Sequence, residues 1–145
     1  MMDKAQVIRE LIRRTKDDFV AYFAGTPLAE RAALIVELAI SGDARLAGMR
    51  QELTAMIPDT ENDGSWQCSY ALNTGVMIES LLEYQATGET TRYDTAVRVF
   101  FDSLDFRVQQ DMEGKGISRP TEEEIAAHPL FVREQAWFDQ LTSPE

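Results

Sequence analysis

The residues best suited to chemistry in this chain are the carboxylates of the stretch DTENDG. Asp59, Glu61 and Asp63 alternate and Gly64 follows them, which is the order of oxygen ligands and sharp turn that opens a calcium-binding loop. The pattern fails at its twelfth position, because Tyr70 stands where the ion needs a bidentate glutamate. We therefore favour a joint between two helices, in which the acids stabilise a positive helix N-terminus, and leave calcium binding open.

Trp66 follows this acidic stretch and opens the most apolar segment of the chain, with Ser65 as the expected helix cap. A buried Trp66 would cover the core, whereas an exposed tryptophan beside acids would suit an interface hot spot. A second acidic strip comes from Asp102 and Asp105, which share one face of the next predicted helix. The candidate partner-binding residues are Asp59, Glu61, Asp63, Trp66, Asp102 and Asp105.

Residues for catalysis are scarce, since the chain holds one histidine and one cysteine. His128 precedes a proline at a helix boundary, so we predict a structural role as a cap or turn residue. Cys68 is expected to be a small buried hydrophobe, and these two residues cannot form a usual zinc site. Glu79 and Glu83 lie one helical turn apart, but the Glu-x-x-His motif of di-metal bundles is missing. The sequence predicts no catalytic residue, metal or cofactor and no enzyme; a carboxylate-held metal is the weaker alternative.

Charge is distributed unevenly along the chain, whose formal charge is −11. Residues 1–50 carry eight basic and seven acidic side chains, whereas residues 51–145 carry six basic and eighteen acidic ones. Phosphate backbones are repelled by such a surface, so nucleic-acid binding is not expected. A basic protein partner would be attracted to it. The simpler alternative is that the acidity keeps the protein in solution.

The chain carries no sign of export or membrane insertion. Its beginning, MMDKAQVIRELIRR, has charges throughout instead of the apolar segment of a signal peptide. No apolar run approaches the length of a bilayer span, and a single cysteine excludes an internal disulfide. We expect a cytoplasmic protein without membrane contact.

Helical spacing of apolar residues dominates the pattern. We predict an all-α, single-domain bundle over residues 1–145, with about six or seven helices joined by short connections. We expect the fifth helix to begin with a capping box in which Thr91 pairs with Asp94. A second capping box, formed by Thr121 and Glu124, is expected to begin the sixth helix. The first four helices are predicted at 3–24, 27–40, 43–56 and 66–86, and the last begins at Pro129.

The predicted helix 66–86 is apolar on most sides, which is typical of a helix at the centre of a bundle. Tyr70, Thr74, Met77, Leu81 and Tyr84 form its main stripe. A narrow polar strip is expected to remain at Asn73, Glu79, Ser80 and Glu83, and Gly88 is placed to end the helix.

Four motifs resemble the YjaG-like family of uncharacterised bacterial proteins. They are IP at 57–58, YALNTGVMIESLL at 70–82, TGET at 87–90 and TEEEIAAHPLFVREQ at 121–135. The resemblance covers residues 50–141 and implies an all-helical fold, without implying an active site. The family leads us to expect an aspartate where this chain has Asn73.

Small size, acidity and the missing catalytic set favour a binding function. Our leading hypothesis is an immunity protein that binds and inhibits a basic cognate toxin, an interbacterial effector acting on nucleic acid or nucleotides. An acidic helical surface can occupy a basic cleft and gain a fast on-rate. The alternative is a self-associating housekeeping protein of the YjaG-like kind, a homodimer formed through Phe131 and Phe138 of the last helix.

Overall fold

The computed structural model describes residues 2–57 and 64–144, and within these ranges all regular structure is helical. The prediction of an all-α, single-domain bundle is therefore confirmed. The helices are α1 (Lys4–Phe23), α2 (Ala29–Ser41), a 3-10 turn (Ala44–Met49), α3 (Arg50–Met56), α4 (Trp66–Thr87), α5 (Thr90–Gly114), α6 (Glu122–Ala127) and α7 (Pro129–Thr142).

Helix α4 lies at the centre of the bundle, where it packs against α1, α5, α3 and α2. Met77, Ile78 and Leu81 on this helix are buried in the core. Gly75 permits the close approach, since a Cβ atom there would lie 2.9 Å from Cγ1 of Ile57. The central position predicted from the apolar pattern of this helix is confirmed.

Three predicted boundaries match the structure closely. Gly88 ends α4 in the left-handed conformation, with a φ of 73°, which glycine adopts without a steric penalty. The capping box of α6 has both its hydrogen bonds, each 3.1 Å long, between Thr121 and Glu124. Pro129 opens α7, and His128 is its N-cap. The role of His128 as a structural cap is confirmed.

The capping box expected at Thr91 is wrong. Helix α5 begins at Thr90, and Glu89, two residues before Thr91, occupies the N-cap without a side-chain hydrogen bond. The hydroxyl of Thr87 instead accepts a 3.2 Å hydrogen bond from the backbone N–H of Glu89. Since Gly88 and Glu89 alone separate α4 from α5, this connection leaves Thr91 inside the first turn.

The predicted helix 43–56 also differs from the structure. The side chain of Asp43 accepts a 2.8 Å hydrogen bond from the backbone N–H of Arg45, and the segment starts as a 3-10 turn. It becomes α-helical only at Arg50. Gly48 lies within the 3-10 turn, and glycine is a poor helix former in such a short segment.

The polar strip predicted on α4 is only partly exposed. Asn73 and Ser80 are buried, and Glu79 and Glu83 are half-buried. The amide Nδ2 of Asn73 donates a 2.8 Å hydrogen bond to Oγ of Ser103 on α5. Asn73 and Ser80 are buried because α4 is enclosed by neighbouring helices on its polar side as well.

Candidate partner-binding surface

Trp66 is the first residue of α4 and lies half-buried at the end of the bundle. Its helix start is held by Ser65, whose side chain accepts a 3.0 Å hydrogen bond from the backbone N–H of Cys68. The Trp66 ring packs on Phe106 of α5, with 5.9 Å between ring centroids and 50° between ring planes. Trp66 therefore contacts the bundle with one part of its ring and leaves another part accessible.

The second acidic strip lies beside this aromatic pair. Asp102 precedes Phe106 by one helical turn and is exposed, and Asp105 is half-buried. The Oδ1 atom of Asp105 accepts a 2.6 Å hydrogen bond from Nε2 of Gln109. Among the residues that the structure describes, neither carboxylate forms an ion pair. We call this surface the Trp66 patch: Trp66, Phe106, Asp102, Asp105 and Gln109.

The structure places Trp66 against Phe106, which lies one helical turn after Asp102 and directly after Asp105 on α5. Phe106 was not predicted from the sequence. It is a large apolar residue four positions after Asp102 and lies outside the buried stripe of its helix, and this position could have indicated a surface contact. Asp59, Glu61 and Asp63 lie outside the described residues. Their predicted contact role, and the calcium loop they resemble, stay predictions.

An arginine on the neighbouring face of α5 is held by an acid and an aromatic ring. Arg107 forms an ion pair with Asp18 of α1, and its guanidinium carbon lies 4.2 Å from the ring centroid of Tyr70. The Tyr70 hydroxyl donates a 2.7 Å hydrogen bond to Oε1 of Gln110. Burial raises the pKa of Tyr70 to about 12, with Arg107 opposing and Asp18 reinforcing the shift. Tyr70 is therefore a neutral hydrogen-bond donor near pH 7, not a proton acceptor.

A second arginine is held in the same manner between α1 and α7. Nε of Arg14 lies 2.6 Å from Oε2 of Glu134. Its guanidinium carbon lies 4.1 Å from the ring centroid of Trp137. Glu134 and Trp137 are three residues apart, so neighbouring positions of one helix supply both the carboxylate and the ring. We call these two arrangements, around Arg107 and Arg14, the arginine clamps.

The other residues considered for chemistry have structural partners. The Oε2 atom of Glu79 accepts a 3.3 Å hydrogen bond from the hydroxyl of Thr54, and Glu83 forms an ion pair with Arg50. Cys68 is fully buried, as predicted. Across residues 2–57 and 64–144, no group of three or more His, Cys, Asp or Glu side chains is arranged to hold a metal ion.

The two residues predicted for self-association contact the chain's own core. Phe131 and Phe138 of α7 both pack on Phe101 of α5, at centroid distances of 6.2 Å and 5.3 Å. The most exposed large apolar side chain described on α7 is instead that of Val132, at 53% of its full accessibility.

Comparison with known proteins gave no relative: no protein-family model, curated protein or solved structure matches the chain. Across the described parts of the chain, none of the helices combines the length and the apolar character needed to traverse a bilayer. The site must therefore be interpreted from its own geometry.

Proposed function

We propose that this protein is a non-enzymatic binding protein that presents the Trp66 patch to a basic protein partner. The observation that carries the proposal is the half-buried pair of Trp66 and Phe106, whose rings are in tilted contact, on the part of α5 that carries Asp102 and Asp105. Aromatic residues are enriched in interface hot spots. Carboxylates at the rim attract a partner of opposite charge and increase its association rate.

The arginine clamps support an arginine as the partner's central contact. Glu134 and Trp137 hold Arg14 from positions three apart on α7. Asp102 and Phe106 offer a carboxylate and a ring from positions four apart on α5. A planar guanidinium can pair with such a carboxylate and stack on the ring at the same time, which the compact ammonium of lysine does less well.

The proposed partner is a toxin domain that acts on nucleic acid or nucleotides, and the protein is its immunity protein. Enzymes that bind phosphate backbones carry basic clefts, and the formal charge of −11 is complementary to such a cleft. The resemblance to the YjaG-like family supplies the alternative, a self-associating housekeeping protein. The exposure of Val132 favours that alternative.

The proposal is tested by capturing partners of the tagged protein from its native cells at low and at high salt, and then measuring binding of the captured protein to variants. We expect one stoichiometric basic protein that is retained at low salt. Trp66→Ala and Asp102→Lys should each weaken its binding at least about tenfold. Asp94→Lys is the matched control, since Asp94 is an exposed acid on the same helix, two turns before Asp102.

Two results would count against the Trp66 patch. Equal losses for Asp94→Lys and Asp102→Lys would mean that net charge alone governs binding. Unchanged binding in Trp66→Ala would place the interface elsewhere. Sedimentation of the isolated protein distinguishes the alternative function, because a stable dimer that Val132→Asp converts to a monomer supports self-association.

A further inference from the structure

The joint between α6 and α7 is built on His128, the only histidine of the chain. Its Nδ1 atom accepts a 3.0 Å hydrogen bond from the backbone N–H of Leu130, which caps α7. Its Nε2 atom lies 2.7 Å from Oδ2 of Asp111 on α5. The side chain is 15% exposed, so protons can reach it from solvent.

These two contacts determine where the ring carries its proton. An imidazole nitrogen that accepts a hydrogen bond has no proton of its own, so the proton must lie on Nε2 and is donated to Asp111. Hydrogen bonds from His128 and then from Lys115 hold the pKa of Asp111 below its usual range. Asp111 therefore stays ionised through the pH range in which an imidazole titrates, and the neutral ring satisfies both of its partners.

A second proton would enter at Nδ1, the atom that caps α7. The protonated Nδ1 can no longer accept a hydrogen bond, and it would face the N–H of Leu130. The positive N-terminal end of α7 opposes the added charge as well. The ring cannot escape by turning over, because Nε2 is held by Asp111, an acceptor that attracts the protonated ring more strongly than the neutral one.

The charged groups that form ion pairs with the ring or with its carboxylate partner come from α5. Asp111 attracts the protonated ring, and Lys115, whose Nζ lies 2.9 Å from Oδ2 of Asp111, competes for the same carboxylate. Within the described parts of α6 and α7, no acidic side chain forms an ion pair with His128. Protonation therefore leaves the contact with α5 in place while it removes the cap of α7.

The segment that this cap holds in place is short and contacts the main core only at its edge, where Phe131 packs on Phe101. Leu130 and Phe131, in the first turn of α7, pack against a second apolar cluster made of Val108, Met112 and Ile125. We propose that His128 is a proton-sensitive joint. In its neutral form, the ring caps the first turn of α7 and so stabilises the packing of that turn on this cluster. In its protonated form, the ring loses this capping hydrogen bond but keeps its contact with Asp111.

The test follows the single histidine by NMR in the full-length protein. Ring ¹⁵N shifts at pH 8 should show the tautomer with its proton on Nε2. The hydrogen-exchange protection of the Leu130 amide, corrected for the intrinsic effect of pH, should fall about threefold to thirtyfold once His128 is protonated, the range expected for loss of an N-cap hydrogen bond. The Ile78 amide in the buried centre of α4 is the internal reference and should keep its protection.

His128→Asn is the matched variant, because asparagine can cap a helix and does not titrate. Its Leu130 amide should keep the same protection at pH 8 and pH 5. The inference is overturned by an Nδ1–H tautomer in the parent protein, by unchanged Leu130 protection after His128 is protonated, or by an equal fall in His128→Asn. The tautomer measurement needs no variant, so the inference can be refuted even if the substitution unfolds the protein.

Discussion

Ser103→Ala is the substitution whose effect can be worked out most directly from the structure. Ser103 is 3% exposed, and its Oγ accepts a 2.8 Å hydrogen bond from the side chain of Asn73, which is 9% exposed. Alanine removes the acceptor and leaves the buried amide of Asn73 without it. Solvent has little access to this site, so water is not expected to replace the lost acceptor.

The cost of an unpaired buried polar group is about 1–3 kcal/mol. The lost hydroxyl adds no large cavity, so we expect the free energy of unfolding to fall by about 2 kcal/mol. For a domain of this size, that loss corresponds to a fall in Tm of about 6 °C. Urea unfolding, followed by circular dichroism at the helical minimum, measures the free energy directly.

A double-mutant cycle separates the hydrogen bond from general effects of substitution. Asn73→Leu removes the donor and keeps the branched shape of the side chain, and the double variant leaves neither partner unpaired. We expect the double variant to be more stable than the sum of the single losses predicts, by about 1 kcal/mol or more. A loss below about 0.5 kcal/mol in Ser103→Ala, or full additivity in the cycle, would refute the interpretation of this pair.

Three further measurements follow from the structure. Gly75→Ala should destabilise the protein by about 1 kcal/mol, because the crowding of Ile57 exceeds the gain in helix propensity; Gly114→Ala, whose Cβ meets nothing within 4 Å, should be neutral or stabilising. Thr121→Ala should lower the free energy of unfolding by about 1 kcal/mol, since it removes the hydroxyl that accepts a hydrogen bond from the backbone N–H of Glu124. Absorbance titration should show one tyrosine, Tyr70, with a pKa of about 12. Because this pKa lies above the ordinary value of 10.0, the contribution of Tyr70 to stability is complete below pH 10 and is lost as the pH rises to about 12.

Each of these measurements has a clear opposing result. Equal stability changes at the two glycines would mean that the approach of α4 to Ile57 is not tight. Unchanged stability in Thr121→Ala would mean that this cap contributes nothing to the stability of the folded state. The variant Tyr70→Phe shows which absorbance step belongs to Tyr70. The raised pKa of Tyr70 would be contradicted if the step missing from this variant were one near pH 10.

The helical fold could be predicted because apolar side chains recur at helical spacing along nearly the whole chain. Local chemistry also identified some boundaries, since glycine at residue 88 and the capping box at Thr121 act within a few residues of themselves. It failed at Thr91, where the short connection after α4 determines the helix start. Nor could it identify the hydrogen bond of Asn73 to Ser103, because a polar residue that bonds to another helix looks the same in sequence as one in solvent.

The candidate site could be predicted only in part. The aromatic and acidic residue types were visible, and Trp66 was singled out with Asp102 and Asp105. That Trp66 packs on Phe106 depends on the register of α4 against α5, which no local pattern contains. The arginine clamps were invisible for the same reason, since Arg14 and Glu134 are 120 residues apart in the chain.

The central position of α4 has a consequence for the newly made chain. Helix α1 can pair with α2 early, but Phe19 of α1 lies against Gly75 of α4, which is synthesised much later. Because synthesis adds about 5–20 residues per second, several seconds pass between the synthesis of this side of α1 and that of the α4 segment that covers it. During this interval the nascent protein exposes an unpaired apolar helix face, so the first two helices form the part of the chain that most needs protection from aggregation before synthesis is complete.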